Sequence, residues 1–121
     1  NGTVGWTDWN ILLDEKGGPN HVGNFCFAPV HANTRTGELT YMNSFYYIGH
    51  FSRFIKPGAK RIISSSSRGQ LLTTAFQNAY GTIATVVMNQ SGQKTCFRFW
   101  GQRYAAEITS LPHSIQTVVL E

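Results

Sequence analysis

The sequence predicts a mixed α and β chain whose two halves differ. Residues 1–60 read as one strand, a long polar loop and one helix, whereas residues 61–121 alternate apolar and polar positions in short runs between turns. Hydrophobic residues make up 41% of the 121 residues, which is enough for a core. Neither half has enough layers to bury its own apolar surface. We therefore expect a fragment or a processed piece of a larger fold.

Three segments account for the first half. Residues 3–10 alternate small and aromatic side chains, which is typical of a strand in a buried parallel sheet. Residues 21–40 are expected to form a loop, and a loop of that length inside a compact domain is often functional. A helix is predicted from Asn43 to Phe54, because apolar residues recur there at helical spacing and Pro57-Gly58 follows as a stop.

Beyond Gly58 the hydrophobic period changes from helical to alternating. The predicted strands are Arg61 to Ser65, Leu71 to Gln77, Thr82 to Asn89, Thr95 to Trp100 and Ser114 to Leu120, with a further short strand from Ala106 to Thr109. Turn residues separate them, so the pattern predicts half or more of an antiparallel β-sandwich.

Composition excludes several classes of function. The formal net charge is +4, but Lys and Arg are scattered along the sequence, and this argues against a nucleic-acid surface. No apolar run approaches the roughly 20 residues of a transmembrane helix, and no signal-peptide pattern opens the chain. No metal-ligand spacing and no cofactor-binding motif is present, so we expect neither a metal nor a cofactor.

Two residue types allow both a structural and a functional interpretation. Cys26 and Cys96 could form a disulfide in a secreted protein. The favoured interpretation is that both are small, buried hydrophobic residues. His50 lies in the predicted helix without a Cys, His or carboxylate partner at ligand spacing. We expect it to hydrogen-bond an adjacent loop rather than to act as a catalytic or ligand residue.

The segment from Gly5 to Asn24 combines two tryptophans, several asparagines and Asp8 around a Gly-Gly-Pro turn. This mixture favours a sugar-facing surface, because an indole covers the C–H face of a sugar ring while amides and carboxylates bind its hydroxyls. Hydrolysis of a glycosidic bond would also need two suitably spaced carboxyl groups. Asp8 alone lies in the aromatic cluster, and neighbouring Asp14 and Glu15 point in diverging directions. We therefore expect no catalytic residue in this chain.

Several spaced motifs carry a resemblance to a known family. They are GWTDWN (5–10), GGPN (17–20), Asn24-Phe25, FYYIGHFSRFIKPGAKRI (45–62) and PHSIQTVVL (112–120). The chain resembles the carboxy-terminal portion of the glucosylceramidase-type enzymes of glycoside hydrolase family 30. The resemblance implies the final βα unit of a (β/α)8 barrel in residues 1–60. For residues 61–121 it implies the carboxy-terminal strands of a side β-sandwich that is built from both chain ends.

The resemblance also implies a function. The whole protein would be a retaining β-glycosidase, secreted, periplasmic or lysosomal-like, acting on a β-glucoside or a glucosylceramide-like substrate. Its two catalytic glutamates would lie on earlier strands, in the remainder of the barrel. In this chain Trp9 would line the sugar pocket, Asn24 would bind sugar hydroxyls, Asp8 would orient its neighbours and Trp6 would serve for packing. Segment 1–121 alone is expected to be inactive.

Two matters stay open at this stage. His21 and Gly23 stand where the mammalian lysosomal members carry a tryptophan and an arginine, so the leaving group of the substrate is not defined. A different class of function is also compatible with the residues. The chain could be a non-catalytic carbohydrate-binding or accessory β-sandwich module, or a structural fragment without activity of its own.

Overall fold

The structure is a computed structural model that describes residues 2–121. In that range it has one helix and nine strands, which confirms the predicted mixed class. The chain divides into an amino-terminal unit that ends at Ile48 and a carboxy-terminal unit, Gly49–Glu121. No helix of the described residues is long and apolar enough to span a membrane.

The amino-terminal unit contains a small sheet that the sequence did not predict. Its strands are β1 (Leu12–Asp14), β2 (Val30–Ala32) and β3 (Leu39–Tyr41), in the order β1-β2-β3. Strand β2 pairs parallel with β1 and antiparallel with β3. The prediction of a continuous loop over residues 21–40 is therefore wrong. Three-residue strands are too short to give an alternating pattern, and that is why they escape detection.

Residues 3–10, for which the sequence predicts a strand, form no strand in this chain. A strand is defined by hydrogen bonds to a neighbouring strand, and these residues pair with none. An extended segment without a partner leaves its backbone groups open, as expected for a strand whose neighbours belong to another part of the polypeptide. Its identity as a barrel strand stays a prediction.

Helix α1 spans Asn43–Ser52 and begins where the sequence predicts, but it ends two residues before Phe54. Hydrogen bonds from Arg53 N to Gly49 O and from Ile55 N to Phe51 O continue the winding briefly past the helix end. No residue of α1 is buried. The helix was predicted from its apolar face, and no described residues bury that face.

The carboxy-terminal unit consists of antiparallel strands. A four-stranded sheet has the order β4-β5-β6-β9, and a separate hairpin pairs β7 with β8. The strands are β4 (Lys60–Ile62), β5 (Leu71–Gln77), β6 (Ile83–Asn89), β7 (Thr95–Gly101), β8 (Tyr104–Ser110) and β9 (Ser114–Leu120). All six predicted strands are present, but β4 ends at Ile62 rather than at the predicted Ser65. The one predicted from Ala106 to Thr109 is longer than expected, because its partner β7 pairs along its full length.

Strand β6 forms the core of the carboxy-terminal unit. It has a hydrogen-bonded strand on each side, and all of its residues except Met88 are buried. Asn89 at its end is only 1% exposed. Its amide donates to Gln93 O (2.8 Å) and Leu111 O (2.9 Å), so this side chain joins two turns to the end of the sheet. A fully bonded buried amide at a strand end fixes the connections that follow it.

The two cysteines are free thiols. Cys26 is half-buried, whereas Cys96 is exposed on the β7–β8 hairpin, with its Sγ atom 3.4 Å from Thr109 Oγ1. The expectation that both cysteines are buried hydrophobic residues is therefore wrong for Cys96. The strand alternation places Cys96 on the same hairpin face as Arg98 and Trp100, and all three are exposed.

Candidate functional site

The two tryptophans of the opening segment are exposed. Trp6 is 78% and Trp9 is 83% exposed, so the indole of Trp9 is available to a ligand or to a further part of the polypeptide. The backbone N–H of Trp9 donates a 2.9 Å hydrogen bond to Asp8 Oδ1. This bond joins Asp8 to the residue that follows it, and the role of Asp8 beside a sugar stays a prediction.

Asp14 closes the turn that contains the Gly-Gly-Pro motif. Its Oδ1 atom accepts hydrogen bonds from Lys16 N (2.9 Å) and Gly18 N (2.8 Å), and its own N–H donates to Gly18 O at 2.7 Å. The bond from Gly18 N is the main reason why the pKa of Asp14 lies below its ordinary value of 3.8. Asp14 is therefore a structural carboxylate.

Glu15 is also held by hydrogen bonds. Its carboxylate accepts hydrogen bonds from Thr34 N (2.9 Å) and Thr34 Oγ1 (3.2 Å). The bond from Thr34 N is the main cause that lowers the pKa of Glu15 below 4.5. Because Thr34 lies in the turn between β2 and β3, Glu15 ties the turn after β1 to that hairpin.

Gly17 makes a close backbone approach to Cys26. Cys26 N donates to Gly17 O at 2.9 Å, and a Cβ atom at Gly17 would lie 2.9 Å from Cys26 N and collide with Cys26 O. Gly17 also has a φ of 87°, which disfavours any residue with a side chain. The position therefore requires glycine for two reasons, and it fastens the returning arm of the loop to the turn.

His31 on β2 links the same two segments from the other side. Ala28 N donates to His31 Nε2 at 3.1 Å, so Nε2 is an acceptor. The other ring nitrogen, Nδ1, lies 2.7 Å from the carbonyl oxygen of Asp14 and must carry the proton. The two partners thus specify the neutral Nδ1–H tautomer. His31 holds the end of the loop against the end of β1.

The loop that carries Asn24 is closed by Asn20. The amide of Asn20 donates to Asn24 O at 2.8 Å, and Asn20 Oδ1 accepts from Val22 N at 3.3 Å. The tip between them is exposed and contains His21 and Gly23. The bond from Asn20 holds the backbone of Asn24 in place. The Asn24 side chain itself has no hydrogen-bond partner among the described residues.

The structure thus organises the predicted site residues as two anchored pairs. Asp8 is bonded to Trp9, and Asn20 is bonded to Asn24, with no hydrogen bond between the pairs in residues 2–121. Sequence reasoning missed Asn20 as a positioning residue. The signal available was an asparagine directly after the Gly-Gly-Pro turn, since Asn commonly bonds nearby backbone.

His50 has a structural role in the carboxy-terminal unit. Its Nδ1 atom lies 2.9 Å from Thr117 Oγ1 on β9. Desolvation by burial lowers the pKa of His50 below 6.5. The expected structural role is correct, but the partner lies on a strand and not on an adjacent loop. In the described part of the chain no cluster of three or more His, Cys, Asp or Glu could hold a metal ion.

The exposed Trp9 and Asn24 side chains are of the kind that bind sugars. Two family models match the chain. "Glycosyl hydrolase family 30 TIM-barrel domain" matches residues 1–55, and "Glycosyl hydrolase family 30 beta sandwich domain" matches residues 58–118. The chain belongs to glycosyl hydrolase family 30.

Its relatives include glucosylceramidases. The chain is 38% identical to the lysosomal acid glucosylceramidase of Mus musculus over 91 residues, which is 74% of this chain and 18% of that protein. It is 33% identical to the putative glucosylceramidase 3 of Caenorhabditis elegans over 120 residues, covering 96% of this chain and 23% of that protein. The chain thus spans about a fifth of the length of these curated relatives.

Two solved structures share the fold. SrfJ from Salmonella typhimurium matches 93% of this chain and 25% of its own, with a TM-score of 0.88 and 36% identity. The endo-β1,6-glucanase BT3312 matches 90% of this chain and 25% of its own, with a TM-score of 0.80 and 27% identity. The fold class predicted from sequence, a last barrel unit followed by sandwich strands, is therefore confirmed.

Proposed function

We propose that the chain is the carboxy-terminal segment of a retaining β-glycosidase of the glucosylceramidase type. Residues 1–60 would form the last strand, loop and helix of the catalytic barrel, and residues 61–121 would form part of the β-sandwich. The segment supplies one wall of the sugar pocket. The catalytic acid and nucleophile are provided by the remainder of the polypeptide or by a companion chain.

The observation that carries this proposal is the state of the carboxylates beside the wall. A retaining mechanism needs a nucleophile about 5–5.5 Å from a second carboxyl group whose pKa is raised so that it can donate a proton. Asp14 and Glu15 are held by backbone N–H groups, and the pKa of each is lowered. Both therefore stay ionised and serve the turn, so the reacting groups belong elsewhere.

Trp9 and Asn24 are the proposed binders within the wall. An exposed indole offers a flat apolar surface to the C–H face of a pyranose ring. An amide that is anchored only through its backbone can donate to one hydroxyl and accept from another. Asp8 acts on the position of Trp9 through its bond to Trp9 N. Together they form a binding surface without a reacting group.

The proposed substrate is a β-glucoside such as glucosylceramide. Two of the relatives are named as glucosylceramidases, and one structural neighbour is named as an endo-β1,6-glucanase, so a glucose unit is common to the substrates in these names. The exposed tip of the Asn20–Asn24 loop, with His21 and Gly23, would face the leaving group.

The test uses the full-length protein with a soluble aryl β-glucoside. Proton NMR of the first product should show the β-anomer before mutarotation, as expected for retention. Segment 1–121 produced alone should release no aryl group, because it lacks the carboxyl pair. Initial formation of the α-anomer would exclude retention. Binding of glucosides without turnover would favour the accessory module, and activity of the segment alone would contradict the proposal.

A further inference from the structure

The loop of the proposed sugar wall returns to β2 through residues 24–30, which we call the returning arm. Two N–H groups of this arm are bonded to backbone carbonyl oxygens. Cys26 N donates to Gly17 O at 2.9 Å, and Val30 N donates to Ile11 O at 3.1 Å. A backbone carbonyl oxygen keeps its lone pairs at any pH at which a protein stays folded. These two bonds therefore do not depend on protonation.

The bond between these two is of a different kind. Ala28 N donates to His31 Nε2 at 3.1 Å, and the other ring nitrogen lies 2.7 Å from Asp14 O. The imidazole thus bridges the returning arm and the end of β1. Ala28 is only 2% exposed, so solvent cannot readily replace the ring as the partner of its N–H.

The bond from Ala28 requires the neutral ring of His31. Nε2 accepts only while it carries no proton, and a protonated imidazole is a donor at both nitrogens. A proton on Nε2 would set two N–H groups against each other and leave the buried Ala28 N–H without an acceptor. Histidine is the side chain that ordinarily changes charge between pH 5 and 8. The attachment of the arm to β1 therefore depends on a proton.

Within residues 2–121 the ring of His31 forms no ion pair. The ionisable residues on the neighbouring parts of β1, the loop and β3 are Asp14, Glu15, Lys16, Cys26, Glu38 and Tyr41. Asp14 meets the ring through its backbone carbonyl, because its carboxylate is bonded to the turn after β1. The carboxylate of Glu15 is bonded to Thr34. In this part of the chain no carboxylate is therefore bonded to the ring to stabilise a second proton.

We propose that His31 is a positioning residue for sugar binding, which holds Asn24 in place only while its ring is neutral. Asn24 precedes Ala28 by four residues in the returning arm, and the bond from Asn20 ties it to the loop tip rather than to β1. When the ring takes up a proton, the arm stays bonded at Cys26 but loses its next bond. Asn24 then samples a wider range of positions, and the sugar binds less tightly.

A purely structural histidine is the alternative. Its replacement would lower the stability of the fold, but substrate binding would show no dependence on the charge of the ring. The effect on binding rests on the proposed function, because it acts through Asn24. Release of the arm by a proton does not rest on it, so the two proposals can fail separately.

The first measurement is amide hydrogen exchange of the full-length protein at about pH 7.5 and about pH 5.5, corrected for the intrinsic effect of pH on exchange. Overlapping peptides isolate the amide of Ala28. Its corrected exchange should be about tenfold faster at the lower pH, because the N–H loses its acceptor. Exchange at Val30, whose acceptor is a backbone carbonyl, should change much less.

The test variant is His31→Gln. Its amide oxygen can accept from Ala28 N and its amide N–H can donate to Asp14 O, but it has no group that titrates. Corrected exchange at Ala28 should therefore be the same at both pH values. The matched control is His113→Asn, which removes a histidine from the turn between β8 and β9 and suits the positive φ of 47° there. It should keep the pH dependence of the wild type.

The second measurement is kcat and KM on a soluble aryl β-glucoside over the same pH range. The ratio of the wild-type value to that of His31→Gln cancels the titration of the catalytic groups. As the pH falls, the ratio of the KM values should rise by about three- to tenfold, and the ratio of the kcat values should stay constant. His31→Leu removes both the acceptor and the donor, so its KM should be raised at both pH values.

Three results would overturn the positioning role. They are the same pH dependence of Ala28 exchange in the wild type and His31→Gln, a KM ratio that does not change with pH, and a loss confined to kcat. Loss of the pH dependence in His113→Asn as well would assign it to the fold as a whole and would also contradict the proposal.

Thermal melting identifies a misfolded variant. If His31→Gln misfolds, the wild type alone decides, since exchange at Ala28 should depend on pH far more than exchange at Val30. An equal dependence at the two amides would contradict the proposal. A wild type that hydrolyses no aryl glucoside would overturn the proposed function and the binding role with it. Faster exchange at Ala28 at low pH would still show that neutral His31 holds the arm.

Discussion

The backbones of Gly17 and Cys26 lie in direct contact, with Cys26 N donating a 2.9 Å hydrogen bond to Gly17 O. No space remains for a side chain at Gly17, because its Cβ would overlap the Cys26 carbonyl oxygen. The loop that carries Asn24 is held between this contact and the bond from Asn20. The Gly-Gly-Pro turn therefore positions the loop of the proposed sugar wall.

Gly17→Ala should destabilise the full-length protein, by about 2–4 kcal/mol, because strained φ and backbone overlap act together. Gly23→Ala is the matched control, since Gly23 has a φ of 71° but open space around it. Its cost should be about 1 kcal/mol, from φ alone. Denaturant midpoints of the two variants measure the difference. Equal midpoints would show that the Gly17–Cys26 contact is not tight.

Asn20→Asp should impair substrate binding through Asn24. The carboxylate keeps the acceptor for Val22 N but replaces the donor to Asn24 O with a repulsive oxygen. We expect kcat/KM on an aryl glucoside to fall about tenfold, mostly through KM, as the loop loses its closure.

A double-mutant cycle checks how Asn20 acts. If it works by positioning Asn24, Asn20→Asp should cost little further in an Asn24→Ala background. Full additivity of the two losses would assign Asn20 an effect of its own and contradict the positioning role.

His50 makes the stability of the protein depend on pH. Burial lowers its pKa in the folded state below the ordinary 6.5, so the unfolded chain binds the proton more readily. The contribution of His50 to stability is fully present above pH 6.5, and it is lost as the pH falls below 6.5 toward the lowered folded pKa. His50→Gln should remove this component of the pH dependence.

The measurement is the denaturation midpoint across that pH range, with Thr117→Val as the companion variant. Thr117→Val removes the hydroxyl 2.9 Å from His50 Nδ1 and should lower stability while keeping the histidine titration. A wild type and a His50→Gln variant with parallel pH profiles would show that His50 does not titrate differently on folding.

Strands β5 to β9 were predictable because each has seven residues and a clear turn at its end, whereas the three-residue β4 was predicted too long, as Arg61 to Ser65. The bounds of β5 and β9 agree with the sequence prediction, and those of β6 differ by one residue. Strands β1 to β3 were missed because three residues define no period. Their pairing is supported by the contact between Asp14 and His31, which is distant in sequence.

The residues of the candidate site could be predicted from the sequence, but the hydrogen bonds that hold them in place could not. Trp9 and Asn24 stand out as residue types that suit sugars and as positions that match the family motifs. Only the structure shows that Asn20 closes the loop and that Thr34 N donates to the Glu15 carboxylate.

The central claim is that Trp9 forms part of the sugar pocket in the complete enzyme, and kcat/KM of Trp9→Ala on a soluble aryl β-glucoside tests it most directly. The control is Trp100→Ala, which removes another exposed indole, 71% exposed, from the sandwich hairpin. We expect Trp9→Ala to lower kcat/KM by roughly 10- to 200-fold, which corresponds to about 1–3 kcal/mol of transition-state binding, and Trp100→Ala to leave it unchanged. Unaltered kinetics of a folded Trp9→Ala enzyme would remove Trp9 from the site and contradict the account.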